Sequence, residues 1–244
     1  MQQSKIEWLR DSNGKRGYVW NPVTGCEHQC PYCYARKMAN RLKGRYGYPA
    51  DEPFKPTWHE EKLEEPYKLK GKEGQPKIFV CSMGDLFGEW ITSKNIQKVI
   101  NVAYGVPGAT FIFLTKNPKR YSDFDFPKNA WIGYSTTGNL FHKWDERNND
   151  NVKFVSLEPM AEPMHANLGG YAQRIDFQWL IIGQETGNRK EKHIVTSPEL
   201  ISTLDFARKL SIPIFVKNNL KIHFDEMSIP ILKNCPQEYP KEEK

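Results

Sequence analysis

Cys26, Cys30 and Cys33 place three thiols within eight positions of "NPVTGCEHQCPYCYARKMANRL", residues 21–42, in a chain with two other cysteines, Cys81 and Cys235. Thiolates this close, on a loop that runs into a helical pattern, can hold three corners of a cubane iron–sulfur cluster. The loop supplies only three ligands, so the fourth iron stays open to a small molecule. A tetrahedral zinc site is the competing reading, with His28, Cys81 or Cys235 as fourth ligand. His28 lies between two of the cysteines, which makes its reach to the same ion sterically awkward, and paired C-x-x-C knuckles are the commoner zinc arrangement. Ligand logic favours the cluster. Five cysteines are an odd count, and three so close make a poor disulfide framework. The pattern fits metal or redox chemistry in a reducing compartment.

The elements that must position this loop are legible as six short runs rich in β-branched and aromatic residues. They are "KIFVCS" (77–82), "TFIFLTK" (110–116), "WIGYST" (131–136), "VKFVSLEP" (152–159), "WLIIGQE" (179–185) and "IPIFVKN" (212–218). Helical patterns at 93–105 and 197–210 lie between some of them. In the second, Ser197 is expected to cap, Pro198 suits the first turn, and Leu200, Leu204, Ala207 and Leu210 form one face. Near-continuous apolar strands alternating with helices predict an α/β fold with a parallel sheet covered on both faces. Each run turns polar at its end: Cys81-Ser82, Thr115-Lys116, Ser135-Thr136, Glu158, Gln184-Glu185 and Lys217-Asn218. An open doubly wound sheet and a partial or full (β/α) barrel both fit this pattern; in a parallel barrel those ends form the catalytic rim, so six polar strand ends favour the barrel with one polar mouth.

Bulk properties set the context. A length of 244 residues with 39% hydrophobic and 26% charged residues predicts one soluble domain over 1–244. The connection from Gly44 to Lys77, rich in Pro, Gly, Lys and Glu, is expected to be an irregular insertion, and 236–244 a solvated tail. No apolar leader or long apolar stretch is present, so a cytoplasmic location with no membrane association is expected. The net charge of +6 is partly local: Arg36, Lys37, Arg41, Lys43 and Arg45 fall between Tyr34 and Tyr48 with no acid among them. Ala35, Met38, Ala39 and Leu42 are spaced as the packing face of this helix. Its other face and Lys119-Arg120 are where phosphate contacts are expected if the substrate is a nucleic acid. Trp20, Trp131 and Trp179 read as core.

"CEHQCPYC" resembles the CxxxCxΦC signature of the radical S-adenosylmethionine (SAM) superfamily, with Tyr32 as the aromatic Φ residue. The resemblance implies a [4Fe–4S] cluster on Cys26, Cys30 and Cys33, SAM chelating its fourth iron, and reductive cleavage to a 5′-deoxyadenosyl radical that abstracts hydrogen. It also implies a barrel of radical SAM type and an external reductant such as flavodoxin or ferredoxin. Over most of the chain, "KIEWLRDSNGKRGYVWNPVTGC", "IFVCSMGDLF", "LTKNPKRY", "WIGYSTTGN", "FVSLEPM" and "WLIIGQETG" are similar to the phage-associated three-Cys-motif family. That family is distantly similar to spore photoproduct lyases, which reverse a thymine dimer in DNA.

Site residues follow from that likeness position by position. Lys116, in a "TK" pair, and Ser135 match the groups that meet the carboxylate end of SAM, which suits a cation and a hydroxyl. Ser82-Met83-Gly84-Asp85 matches the polar stretch that receives the SAM amino group, so Ser82 and Asp85 are assigned to the cofactor, although the common "GGE" sequence is absent there. Tyr32 is expected beside the adenine, while Tyr34 could face substrate or brace the helix. Glu158 or Glu185 could hold the ribose, act as an acid or base, or pair with Lys217. Cys81 matches the cysteine that returns a hydrogen atom to the product radical; a buried apolar filler or a further metal ligand are the other readings. Cys235 reads as a bystander. The function expected is a radical SAM enzyme acting on a nucleobase in DNA or RNA, with room for a genetically linked partner protein. The competing class is a non-catalytic iron–sulfur or zinc protein that binds nucleic acid or a protein, and SAM cleavage separates the two.

Overall fold

The structure is a computed structural model that describes residues 1–138, 142–164, 175–186, 189–220 and 235–240. Its contacts divide the chain into two units, Met1–Gly133 with Asp145–Asn151, and Tyr134–Trp144 with Val152–Lys244. Both are mixed α/β, and their strands pair mostly parallel.

The first unit begins with β1 (Gln2–Gln3), β2 (Tyr18–Trp20) and β3 (Val23–Thr24), followed by α1 (Tyr34–Arg41) and β4 (Thr57–Trp58). It continues with β5 (Lys77–Val80), α2 (Ser93–Gly105), β6 (Thr110–Thr115) and the first part of β7 (Ala130–Thr136). β1 meets β2 antiparallel, with Gln2 opposite Val19. β2, β5 and β6 run parallel in that order, with Val19 opposite Phe79 and Ile78 opposite Phe111. Every residue of β5 is buried, as expected for a strand covered on both faces. Even Lys77 is buried, its ammonium 4.3 Å from the centre of the Trp131 ring, a cation–π contact that replaces part of the lost hydration. α2 starts where Thr92 accepts from the Asn95 N–H, and it buries Ile96, Val99, Ile100 and Ala103 at helical spacing.

The Gly44–Lys77 connection is mostly irregular, with short 3₁₀ turns at Glu60–Lys62 and Pro66–Leu69. It also carries β4, which pairs antiparallel with β3, Val23 opposite Trp58. A two-residue strand lies below what residue periodicity can reveal. In α1 only Ala35 and Ala39 of the expected packing face are buried, while Met38 is exposed.

The second unit holds the end of β7, then β8 (Val152–Leu157), β9 (Trp179–Ile182), α3 (Ser197–Lys209) and β10 (Ile214–Val216). β8, β9 and β10 are parallel neighbours, with Val155 opposite Leu180 and Ile181 opposite Phe215. The α3 cap is Thr196 rather than the expected Ser197: the Glu199 carboxylate accepts from both the N–H and the hydroxyl of Thr196, at 2.7 Å each. Leu200, Leu204 and Ala207 are buried as expected, but Leu210 is 42% exposed because the helix ends at Lys209 and Leu210 leaves its face. Residues 236–240, within the stretch expected as a solvated tail, run beside β10. The Val216 N–H donates to the Pro236 carbonyl, and Tyr239 packs on Trp179 and Phe215. Residues 241–244 lie outside the described residues. No helix among the described residues is long and apolar enough to cross a membrane.

Candidate cofactor site

The cysteine loop follows β3 and is clamped on two sides. The Gly25 N–H donates to the Met83 carbonyl at 2.9 Å, and the Cys26 N–H to the Phe54 carbonyl at 3.1 Å. Gly25 has a φ of +83°, and a Cβ there would stand 2.3 Å from the Lys55 carbonyl oxygen. Only glycine suits both the backbone and the space. The insertion therefore braces the loop from one side while the segment after β5 braces it from the other.

Two of the three sulfurs accept backbone N–H bonds. His28 N–H points to Cys26 Sγ at 3.5 Å, and Arg36 N–H to Cys33 Sγ at 3.4 Å, which makes Cys33 the cap of α1. Donors and a helix N-terminus at sulfur favour the thiolate. Burial opposes it: the Cys26 thiol is pushed up to about 12 by desolvation, with the charges of Asp85, Cys30 and Cys33 adding to the rise. A cationic metal centre removes that repulsion and deprotonates the thiols outright. The Trp90 indole N–H, on a ring 4.9 Å from that of His28, is a buried donor with no partner among the described residues. Among the described residues no three His, Cys, Asp or Glu side chains converge as they do around one metal ion. By its chemistry, three thiols within eight positions with backbone N–H bonds on two of the sulfurs, the donor set is of the kind that holds an iron–sulfur cluster.

Asp85 lies just past β5 and organises the neighbourhood. Its Oδ1 accepts from Thr115 Oγ1 at 2.7 Å and from the Phe87 N–H at 3.0 Å. Its Oδ2 accepts from the Lys116 N–H at 2.9 Å and lies 2.8 Å from His28 Nε2. A buried carboxylate with four partners is satisfied internally. Expected as a SAM ligand, Asp85 here joins the cysteine loop, through His28, to the end of β6. His28, a candidate zinc ligand, has its Nε2 on that carboxylate.

Lys116 follows β6, and its Nζ donates to Tyr32 Oη at 3.1 Å. Burial raises the Tyr32 hydroxyl above its ordinary value, while the Lys116 cation partly offsets this; Cys30 also hydrogen-bonds the phenol. Lys116, Tyr32 and Cys30 thus form one chain of contacts from strand end to cysteine loop. Ser82 Oγ donates to Asn21 Oδ1 at 3.2 Å, and the Met83 N–H donates to the same oxygen at 3.0 Å. Asn21 was absent from the expected site, although an Asn-Pro step directly after a strand marks a turn. The Tyr34 hydroxyl donates to the Ser82 carbonyl. Cys81 is buried at the end of β5 with a φ of +58°, in the left-handed region. Its thiol is pushed up to about 12 by burial, partly offset by an N–H bond from Val23, so it stays protonated.

In the second unit, Ser135 is half-buried near the end of β7. Glu158 Oε1 meets Lys217 Nζ at 2.6 Å and its Oε2 accepts from Ser156 Oγ at 2.8 Å. Of the roles open to Glu158, pairing with Lys217 is the one present. Gly183 leaves space for the pair, since a Cβ there would stand 2.7 Å from Glu158 Oε1. Glu185 is buried and holds Arg189 through two bonds of 2.8 Å. Cys235 is buried. Arg120, expected at a phosphate, instead donates to the Gly88 and Ile91 carbonyls at 2.7 and 2.8 Å in the first unit, which makes it a brace for the loop before α2.

A family described as "Protein of unknown function (DUF5131)" matches residues 3–222. The chain belongs to this family. Its description carries no phage association. A stretch of 130 residues is 30% identical to the uncharacterized protein MJ0683 of Methanocaldococcus jannaschii, covering 51% of this chain and 45% of that protein. The chain thus spans less than half the length of this curated relative. Among solved structures, spore photoproduct lyase complexed with dinucleoside spore photoproduct is similar at a TM-score of 0.58 and 10% identity, over 88% of this chain and 78% of that one. A cysteine-to-serine mutant of spore photoproduct lyase is similar at 0.52, with the same identity and coverage. At this identity the likeness is one of fold, and it bears out the expected kinship at that level.

Proposed function

We propose that this protein is a radical SAM enzyme. Cys26, Cys30 and Cys33 would hold a [4Fe–4S] cluster, and the strand ends would form the mouth of a partial or full (β/α) barrel. The observation that carries the reading is the cysteine loop, with two backbone-donated sulfurs and the Cys30–Tyr32–Lys116 chain beside it, on a fold shared with spore photoproduct lyase. When bound, the cluster supplies the electron that splits SAM into methionine and a 5′-deoxyadenosyl radical.

The chain's own groups have separable tasks. Lys116 presents an ammonium to the SAM carboxylate, a charge-assisted contact, and Tyr32 holds that ammonium in place. Asn21 holds Ser82 and the Met83 N–H, the stretch that would receive the SAM amino group. Asp85 acts as a positioning residue through His28. Ser135 is assigned to the carboxylate end of SAM and Glu158 to the ribose, the latter held by Lys217. Cys81 keeps its S–H bond at neutral pH, as a donor of a hydrogen atom to a carbon-centred product radical must. Spore photoproduct lyase is known in complex with a dinucleoside spore photoproduct, which supports a nucleobase as the proposed substrate; a flavodoxin or ferredoxin as reductant, the cytoplasm as location and a genetically linked partner protein belong to the same proposal.

Anaerobic reconstitution followed by electron paramagnetic resonance tests the reading. The reduced protein should give a [4Fe–4S] signal that changes when SAM is added, because SAM then ligates the cluster. A cluster signal indifferent to SAM would leave a non-catalytic iron–sulfur protein, and zinc in place of iron would leave a metal-stapled binding protein.

A further inference from the structure

The outward side of α1 and the turn after it carry a charge pattern that the cofactor site leaves unused. Arg36, Lys37, Arg41, Lys43 and Arg45 lie between Tyr34 and Tyr48 with no acid. Lys37, Arg41, Lys43 and Arg45 are exposed, and no carboxylate pairs with them among the described residues. Lys37 and Arg41 stand one helical turn apart, and Arg45 follows with its guanidinium on the Arg41 carbonyl at 3.0 Å. Like charges at this spacing weaken a helix, and a solvated face ordinarily mixes signs. The first turn also has no acid to complement the helix dipole. A helix that keeps these penalties is suited to a polyanion.

The cations are interleaved with exposed apolar groups. Tyr34 is 54%, Met38 42% and Tyr46 77% exposed. Packing does not require them, because Ala35 and Ala39 supply the buried face. The row starts at Tyr34, next to Cys33, where its hydroxyl meets the Ser82 carbonyl. Cations for phosphates alternating with rings for bases is the composition of a single-strand platform. A duplex keeps its bases stacked inside and offers nothing to Tyr46. A membrane helix needs one continuous apolar face for the lipid, and here that face is packed against the protein.

We propose that the Tyr34–Tyr46 face is a docking track for single-stranded nucleic acid that ends at the cysteine loop. The track rests on the proposed function only for what lies at that end. The test is fluorescence anisotropy of the reconstituted full chain with a labelled oligothymidylate, across salt concentrations. The combined variant Lys37→Gln, Arg41→Gln and Lys43→Gln should bind at least about tenfold more weakly, and its log–log salt slope should fall by about 2, from three lost phosphate contacts at about 0.7 each. Tyr46→Ala should weaken binding with the slope unchanged. Circular dichroism and iron content establish that each variant is folded and loaded. Unchanged affinity and slope in the triple variant would overturn the track, as would no binding by the wild type. Equal binding to duplex or to anionic phosphatidylserine vesicles would reduce it to a general polyanion surface, which also overturns it. Deoxyadenosine formed by the wild type in the same preparation is read separately, so failure of the track and failure of the radical SAM reading are distinct results.

Discussion

At the scale of single residues, the site depends on charges satisfied in pairs. Lys116 donates to the Tyr32 hydroxyl, a neutral acceptor that leaves the ammonium its charge for the proposed contact with a carboxylate. Lys116→Ala should leave iron content intact and weaken SAM binding about 10- to 100-fold, the range of one charge-assisted contact, read by equilibrium dialysis; unchanged affinity would remove Lys116 from the cofactor. Asp85→Asn exchanges an acceptor for a donor among four donating neighbours. It should cost about 2–4 kcal/mol in urea unfolding, the range for a broken buried charge network. The close spacing of the cysteines was legible from residue type and position, whereas Tyr32 and Lys116 came from the likeness to the radical SAM superfamily and to spore photoproduct lyases. The His28–Asp85 and Asn21–Met83 contacts were not legible, because they join positions 57 and 62 residues apart and no local pattern encodes such pairs.

At the scale of elements, the cysteine loop is held by the β3–β4 pair, and two features of that pair are testable. Gly25→Ala places a side chain against the Lys55 carbonyl at a φ of +83°. It should cost about 2 kcal/mol or more in denaturant unfolding and lower iron loading with it. His59, buried behind β4, contacts Thr24 through Nε2 at 2.8 Å. Burial, aided by Lys62 and opposed by Glu61, lowers its pKa below the ordinary 6.5. The folded protein therefore binds that proton less readily than the unfolded chain, and stability should fall as pH drops below about 6.5 and level off beneath the folded pKa. Thermal unfolding of His59→Gln should lose that part of the pH dependence; an identical slope in variant and wild type would mean that another group is responsible. The six main strands and helices α2 and α3 were readable because apolar runs and turn residues recur along them. The caps and short pairings were less so. Thr196 and Ser197 are both good capping types, and only the Glu199 carboxylate chooses between them.

At the scale of the whole molecule, the chain belongs to the family matching residues 3–222 and shares a fold with spore photoproduct lyase, while the proposed chemistry is carried by the cysteine loop. The expected alternation of parallel strands and helices is present in each unit, and polar groups stand at the strand ends as expected. What periodicity could not convey is how those ends are used. Glu158 pairs with Lys217 and Glu185 with Arg189, whereas Lys116 meets a phenol, and these choices depend on strand neighbours rather than on local sequence. Cys30→Ala should abolish the cluster in the intact chain, and full iron content in that variant would contradict the ligand assignment. The most direct measurement is iron, sulfide and zinc analysis of anaerobically purified protein, followed by dithionite and SAM with assay of 5′-deoxyadenosine. About four irons per chain and deoxyadenosine formed only in the presence of reductant are the expected result. Stoichiometric zinc, or a full cluster that never cleaves SAM, would contradict it.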